Sequence, residues 1–248
     1  MMLVDTHAHL DEFENLKSIL DKARKVGVAA VIAVGSSLET NLKILNIGGE
    51  FRRYVYPALG AHPWNLTSDD VEGNFKLIEE KIDKAVAIGE VGLDFWVKTD
   101  RNLQVKVFKR VVELSVKYGK PLSIHSRGAW SEAFEIVKSM GVEKAVFHWY
   151  TGPENVLNEI LDSGYYVSAT PAAQYSRYHI EAVKRAPLER LLLETDCPVV
   201  YKGVRSDPSS VVETARAVSS IKNTPVDEVA EKTTRNAVKL FKIGLHSL

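Results

Sequence analysis

Short apolar runs alternate along the chain with longer segments of helical period. Eight of these runs have the length and composition of strands: Leu3–His7, Val28–Val34, Val55–Ala61, Ala85–Glu90, Pro121–His125, Ala145–His148, Tyr165–Ala169 and Leu191–Thr195. The segments of helical period include Leu16–Lys25, Asn74–Lys84, Leu103–Tyr118, Trp130–Met140, Glu154–Leu161, Ile180–Arg185 and a last region, Pro208–Phe241, divided near Asn223. Apolar strands that alternate with helices predict a parallel sheet covered by helices.

The number and order of these elements favour a closed barrel over an open doubly wound sheet. A (β/α)8 barrel typically uses about 250 residues, and the chain has 248. An open sheet that binds a dinucleotide carries a glycine-rich turn after its first strand, and the sequence contains no GxGxxG motif. We find no internal repeat and no linker-like segment. We therefore expect an α/β fold in which residues 1–248 form one TIM-type barrel domain.

Composition and charge limit the classes of protein that the chain can represent. Hydrophobic residues make up 45% and charged residues 26%, which is ordinary for a folded protein. The 32 basic residues balance the 32 acidic ones, so that any contact with a polyanion must be local. Cys197 is the only cysteine, no secretory signal is apparent, and the longest apolar run, Val26–Gly35, is too short to span a bilayer. We expect a cytoplasmic protein without membrane attachment or an obligate protein partner.

Histidines and carboxylates fall at the ends of the predicted strands. His7 and His9 are two residues apart, so both imidazoles point to the same face of the first strand. Later strands end in His62, Glu90, His125, Arg127, His148, Glu194 and Asp196. Each of these residues alone could be a helix cap or a satisfied core residue. The strands of a parallel barrel end at one rim, however, and this mixture of imidazoles and carboxylates on one rim predicts a site for divalent ions.

The number of candidate ligands predicts two ions. Four histidines and two carboxylates are too many for one tetrahedral ion, but they suit two ions that share a bridging carboxylate. We expect His7, His9 and Asp196 around one ion, His125 and His148 around the other, and Glu90 as the bridge. The ions could be zinc, magnesium or manganese. A water held between two ions loses a proton near neutral pH and becomes a nucleophile, and Asp196 could accept that proton.

These motifs, in this order, resemble the TatD family of metal-dependent deoxyribonucleases within the amidohydrolase-type barrels. The resemblance covers nearly the whole chain through DTHAHLD, GAHP, GEVGLD, IHSR, the Thr-Gly pair after His148, LLLETDCP and TRNAVKLF. It implies that the metal ligands are His7, His9, Glu90, His125, His148 and Asp196. It also implies that His62 and Arg127 lie beside the phosphate of a DNA substrate. The residues that follow His148 and the last strand depart from the family pattern, and both departures fall in substrate loops.

Three functions are compatible with this pattern. The leading hypothesis is a deoxyribonuclease that hydrolyses phosphodiester bonds with a two-ion centre. The second is hydrolysis of a small amide, ester or lactone by the same centre, and the third is a metal-binding scaffold without catalysis. Phosphate requires a cationic partner such as Arg127, whereas a small neutral substrate requires an apolar pocket. Glu90 and Asp196 count against a scaffold, which needs neither a bridge nor a base.

Four further features of the sequence lead to predictions about single residues. The tryptophans all follow a motif histidine or glutamate within six residues, so we expect them on the face that carries the ions: Trp64, Trp96, Trp130 and Trp149. Their rings could stack on bases or pack together as the wall of a pocket. Arg127 could pair with a nearby carboxylate instead of phosphate. Cys197 has no base arranged beside it, so we interpret it as a structural residue. We expect His179 and His246 to be surface residues.

Overall fold

Eight parallel strands form the centre of the computed structural model, which describes residues 1–66 and 70–245. The strands are β1 (Leu3–Ala8), β2 (Val28–Val34), β3 (Val55–Ala61), β4 (Ala87–Asp94), β5 (Leu122–Arg127), β6 (Ala145–Phe147), β7 (Tyr166–Ala169) and β8 (Leu191–Leu193). They pair in the order of the chain, and every pairing is parallel. The predicted (β/α)8 architecture is confirmed.

Helices cover the outside of this sheet and follow the strands in turn. They are α1 (Leu16–Lys25), α2 (Leu38–Glu50), α3 (Val71–Lys81), α4 (Arg101–Tyr118), α5 (Trp130–Ser139), α6 (Glu154–Asp162), α7 (Arg177–Arg185), α8 (Val211–Lys222) and α9 (Val226–Phe241). Helix α2 has no counterpart among the predicted segments, because Gly48 and Gly49 weaken its helical pattern. A capping box between Ser37 and Thr40 begins it. Among the described residues, no helix is both long and apolar enough to cross a bilayer.

Five strands end one to four residues away from the predicted positions, and the differences in β4 and β8 concern polar residues of the rim. Strand β4 continues to Asp94, four residues beyond the predicted end at Glu90. The predicted strand is too short because the glycines of GEVGLD are typical of a turn. Strand β8 ends at Leu193 rather than Thr195. Thr195 leaves the ladder because its backbone N–H donates to the carboxylate of Asp5 on the neighbouring strand β1. Both differences change the position of polar side chains at the rim.

The barrel closes between β1 and the residues that follow β8. Ala8 and Cys197 form a parallel bridge. The buried carboxylate of Asp5 accepts hydrogen bonds from the backbone nitrogen of Thr195 at 2.9 Å and from its hydroxyl at 2.6 Å. These contacts hold the C-terminal end of β1 against the segment after β8, so the two histidines of DTHAHLD lie beside the aspartate of LLLETDCP. Cys197 is buried in this seam, as its structural interpretation predicts.

Helix α9 covers the opposite, N-terminal end of the barrel. The hydroxyl of Thr234 donates to the carbonyl of Met2, just before β1. The amide of Asn236 donates to the carbonyls of Leu188 and Leu191, at the start of β8. The last turns of α9 pack into the cluster of inward-facing strand residues. The late TRNAVKLF motif therefore closes the end of the barrel away from the polar rim.

Candidate metal centre

The side chains predicted to be metal ligands converge at the C-terminal rim of the barrel. They come from β1 and its end, from β4 and β5, and from the residues directly after β6 and β8: His7, His9, Glu90, His125, His148 and Asp196. Five of the six line one cavity of about 750 Å³, and His7 lies fully buried beneath it. The rim therefore brings together the whole predicted ligand set.

Glu90 stands at the centre of this set, and its two carboxylate oxygens face different histidines. Oε2 lies 3.4 Å from Nε2 of His7 and 3.3 Å from Nε2 of His9. Oε1 lies within 3.1 Å of a ring nitrogen of each of three others, His62, His125 and His148. We call the group formed by His7, His9 and Asp196 the Oε2 side, and the group formed by His62, His125 and His148 the Oε1 side.

On the Oε2 side, two imidazole nitrogens and a carboxylate oxygen lie within 4.8 Å of one another. Oδ1 of Asp196 lies 3.6 Å from Nε2 of His7 and 3.4 Å from Nε2 of His9. Ser123 contacts Nδ1 of His7 at 3.2 Å and orients its ring, but the buried Nε2 has no hydrogen-bond partner among the described residues. A buried polar atom of this kind requires an explanation. Two imidazole nitrogens and a carboxylate that face one point fit a divalent ion.

The backbone holds Asp196 in place. Its nitrogen donates to the carbonyl of His7 at 2.9 Å. Its φ of 49° lies in the left-handed region, which aspartate tolerates better than most residues. The conformation is sparsely populated and is typical of functional sites. The carboxylate is thus aimed at the two histidines by the main chain.

On the Oε1 side, a second carboxylate stands behind each of two histidines. His125 lies between Oε1 of Glu90, 2.9 Å from its Nδ1, and Oδ2 of Asp94, 3.0 Å from its Nε2. Nε2 of His148 faces Glu90, and its Nδ1 lies 3.4 Å from Oε1 of Glu194. A carboxylate on the far nitrogen orients metal-ligating imidazoles in many proteins and raises their basicity. His125 and His148 therefore have the surroundings of metal ligands.

The buried charges shift one another's pKa values. Burial alone would lower the pKa of His9, but the carboxylates of Asp196 and Glu90 outweigh it and raise the pKa to about 10. Burial alone would raise the pKa of Glu90, but the surrounding histidines, His62 foremost, hold it well below its usual range. At His62, by contrast, burial outweighs the attraction of Glu90, and the pKa falls to about 4. The carboxylates thus stay ionised at neutral pH and supply the negative charge that cations require.

The two residues predicted beside the substrate occupy different settings. His62 lies inside the centre, with Nε2 3.1 Å from Oε1 of Glu90, and it forms a possible ion-binding group with Glu90 and His125. Arg127 lines the same cavity, but its Nη2 lies 2.9 Å from the carboxylate of Asp94. The structure therefore shows the carboxylate pairing that the sequence left open for this arginine.

Two further carboxylates of the centre are not among the predicted ligands: Asp94, and Glu194, which the sequence places at the polar rim without assigning it to an ion. Asp94 is four residues beyond Glu90 on the same strand, and side chains alternate along a strand, so period-two spacing places both on one face. That spacing could have revealed Asp94, had β4 not been expected to end at Glu90. Glu194 lies just past the end of β8 and accepts a hydrogen bond from the backbone nitrogen of Trp149 at 3.0 Å. It comes near His148 because both residues follow strands that lie on either side of β7 in the sheet.

The prediction that His179 lies at the surface is wrong. The residue is fully buried in α7. Its Nδ1 donates to the carbonyl of Tyr150 at 3.0 Å, and its Nε2 accepts from the backbone nitrogen of Thr170 at 3.0 Å. The imidazole thus joins the loops after β6 and β7, a packing that helical periodicity does not reveal. His246 lies outside the described residues.

The four tryptophans lie on the face that carries the centre. Trp64, Trp130 and Trp149 line the cavity. The ring of Trp96 meets that of Trp130 edge to face, with centroids 6.1 Å apart. The guanidinium carbon of Arg127 lies 5.2 Å from the ring of Trp64 and 5.5 Å from that of Trp96. Trp64, Trp96 and Trp130, joined through Arg127, thus form an aromatic wall of the cavity, whereas the ring of Trp149 meets those of Tyr201 and His179. Trp64 and Trp96 are both exposed to solvent.

The barrel and its rim of histidines and carboxylates define a class, the metal-dependent hydrolases that build their centre at the C-terminal ends of parallel strands. Comparison with known proteins narrows this class. The family model described as "TatD related DNase" matches residues 4–242. The chain belongs to the TatD family, and it is a metal-dependent hydrolase of that family.

Individual relatives agree with this assignment over their full length. The chain is 33% identical to "Deoxyribonuclease TATDN3" of Homo sapiens over 265 residues, which cover 99% of this chain and 97% of the relative. It is 32% identical to "Uncharacterized metal-dependent hydrolase YabD" of Bacillus subtilis, with 98% of this chain and 100% of the relative covered. Among solved structures, YJJV, a TatD homologue from Escherichia coli, superposes with a TM-score of 0.89 at 24% identity and covers 98% of both chains. That similarity supports the fold.

Proposed function

We propose that the chain is a deoxyribonuclease that hydrolyses phosphodiester bonds in DNA with a water activated by two divalent ions. The arrangement around Glu90 supports two ions, because each of its oxygens faces a separate group of histidines. A carboxylate between two donor groups is the usual bridge of a two-ion centre. The name of the human relative, deoxyribonuclease TATDN3, supports DNA as the substrate.

Each side of Glu90 would hold one ion. His7, His9 and Asp196 would bind the ion of the Oε2 side. His125 and His148 would bind the ion of the Oε1 side, and Glu90 would contact both. Imidazole donors in this number favour zinc or manganese over magnesium, because magnesium prefers a shell of oxygen atoms.

The residues of the centre would divide the chemistry of hydrolysis among them. When bound, the ions would polarise the phosphodiester and lower the pKa of a water. Burial opposes the ionisation of Asp196, but its contact with His9 and the nearby histidines lowers its pKa, so the carboxylate is ionised and can accept the proton of the attacking water. The water oxygen would bond to phosphorus as the bond from phosphorus to the leaving sugar oxygen breaks, and the leaving oxygen would take up a proton from Asp196 or from solvent.

His62 and Arg127 would contact the phosphate. His62 lies within the Oε1 side, where Nδ1 accepts a hydrogen bond from the backbone nitrogen of Trp64, and the N–H of Nε2, beside Glu90, would be the donor to the phosphate. The Arg127 side chain is 39% exposed and uses Nη2 for Asp94, so other N–H groups of its planar fork remain for a phosphate oxygen. These contacts would place the scissile phosphate above Glu90.

The direct test is incubation of the metal-loaded protein with single-stranded DNA, with and without a chelator. We expect cleavage that stops when the chelator is added and returns when divalent ions are restored in excess. Cleavage of a small ester or lactone but not of DNA would contradict the proposal in favour of the small-substrate hydrolase. A loaded protein that cleaves neither would support the scaffold.

A further inference from the structure

Asp94 connects more groups of the cavity than any role in ion binding requires. The carboxylate is fully buried at the end of β4. Its Oδ2 accepts hydrogen bonds from Nε1 of Trp64 at 2.7 Å and from Nε2 of His125 at 3.0 Å, and it lies 2.9 Å from Nη2 of Arg127. Its Oδ1 accepts from the backbone nitrogen of Trp96 at 3.0 Å. One carboxylate therefore joins the Oε1 side to the aromatic wall.

The backbone of Asp94 is held independently of this carboxylate. Its nitrogen donates to Oε1 of Gln104 at 2.8 Å, and its carbonyl accepts from Nε2 of Gln104 at 2.9 Å. The same amide donates to the carbonyl of Thr99. The strand end thus keeps its position whatever the side chain at position 94 does, and a substitution there can be interpreted through the groups that the carboxylate contacts.

Trp64 is an exposed ring held in one orientation. It is 51% exposed and lines the cavity, yet its N–H is bonded to Asp94. Arg127 lies over the ring, and His62 meets it at 88° with centroids 5.0 Å apart. A ring whose orientation is already restricted loses little side-chain entropy on binding. The guanidinium of Arg127 thus contacts the carboxylate of Asp94 and the indole at the same time, and it supports the ring.

We propose that Trp64, Arg127 and Asp94 form a nucleobase subsite beside the centre. In this subsite the indole of Trp64 stacks on one base of the substrate, and Asp94 is a positioning residue for the indole and the guanidinium. The inference rests on the proposed function, because it takes the substrate to be a nucleic acid. The ring centroid of Trp64 lies 6.0 Å from that of His125, so the stacked base belongs to a nucleotide next to the scissile phosphate.

The first experiment compares two ligands that differ only in the base. Binding of 2′-deoxyadenosine 5′-monophosphate and of 2-deoxyribose 5-phosphate to the metal-loaded protein is measured by titration calorimetry. We expect the nucleotide to bind about tenfold more tightly, within the range that base–aromatic stacking gives, and Trp64→Ala to remove this preference. The matched control is Tyr178→Ala, which deletes a ring that is 73% exposed on α7 and should preserve the preference.

The second experiment tests the positioning role of Asp94 through the N–H resonance of the Trp64 indole, assigned by its loss in Trp64→Ala. Asp94→Asn keeps the shape of the side chain but places an amide NH2 among donors. We expect the resonance to shift and nucleotide affinity to fall about tenfold at saturating metal. The double variant Asp94→Asn with Trp64→Ala should show the same lack of preference for the nucleotide over the sugar phosphate as Trp64→Ala alone.

Three results would overturn the inference. They are equal affinity of the wild type for both ligands, unchanged nucleotide preference in Trp64→Ala, and an unshifted indole resonance in Asp94→Asn. If Asp94→Asn does not fold, the comparison of Trp64→Ala with Tyr178→Ala still decides whether the stacking subsite exists. Failure of the proposed function is measured separately, by the loss of DNA cleavage. A wild-type protein that cleaves no DNA can still bind the nucleotide more tightly than the sugar phosphate.

Discussion

The two sides of Glu90 are built from similar donors but are supported differently. The Oε2 side lies in the seam of the barrel, where the backbone of Asp196 bonds to that of His7 and the buried carboxylate of Asp5 holds the seam closed. The Oε1 side is supported by side chains, with carboxylates behind His125 and His148. One of these carboxylates also contacts the side chains of the aromatic wall.

This difference separates two tasks of the centre. A donor group anchored by the main chain at the closure of the barrel can hold an ion in a constant position. A group of ligands that shares a carboxylate with Trp64 and Arg127 can fix the position of the ion relative to the substrate. Substitutions on the Oε2 side should therefore affect ions and turnover, whereas substitutions around the Oε1 side should affect substrate binding as well.

The largest effect is expected for Glu90→Gln, which removes the charge that both sides share. A neutral amide cannot balance two cations, so we expect weak metal loading and a loss of turnover of about 10³-fold or more, since ion-assisted stabilisation is worth several kcal/mol. Elemental analysis and single-turnover rates measure both quantities. The matched control is Glu135→Gln, on the exposed surface of α5. A Glu90 variant that binds two ions tightly would show that this carboxylate is not the bridge.

Next in size is Asp196→Asn, which tests the Oε2 side alone. The amide keeps an oxygen for the ion but cannot accept a proton. We expect metal content to fall modestly and turnover to fall about 10²-fold or more, the usual scale for loss of a positioned general base. Near-normal turnover at full metal occupancy would place the base elsewhere, with His62 as the next candidate.

Arg127→Ala tests the substrate side of the comparison. A charge-assisted contact with phosphate contributes about 1.5–3 kcal/mol, so we expect phosphodiester cleavage to fall at least tenfold while cleavage of a neutral ester changes much less. Steady-state rates on both substrates make the comparison. Equal losses would indicate that the arginine acts only through its structural pairing with Asp94.

The smallest effect concerns His179, beneath the loops that support the Oε1 side. Burial lowers the pKa of this imidazole below its ordinary value of 6.5, so the folded state holds it neutral while the unfolded chain takes up a proton. Its contribution to stability is therefore present above that value and is lost as the pH falls below it. Denaturant unfolding at pH 8 and pH 5 should show a smaller loss for His179→Gln than for the wild type. Identical losses would contradict a neutral, buried imidazole.

The order of elements and most of the candidate site were accessible from the sequence. Eight apolar runs predicted the strands, and the spacing of His7 and His9 placed both on one face because side chains alternate along a strand. Glycines concealed the full length of β4, and with it the position of Asp94. The support by Glu194 and the buried setting of His179 depend on contacts between distant segments, which no local pattern contains. The extent of a single domain over residues 1–248, the cytoplasmic location and the lack of an obligate partner stay predictions.

The count of bound ions, measured together with the rate of DNA cleavage, tests the central claim most directly. Metal-saturated wild-type protein should contain two divalent ions per chain by elemental analysis. Removal of the ions should abolish cleavage, and titration back to two per chain should restore it. Full activity in metal-free protein, or full activity with one ion per chain at saturation, would contradict a centre in which the two oxygens of Glu90 serve two ions.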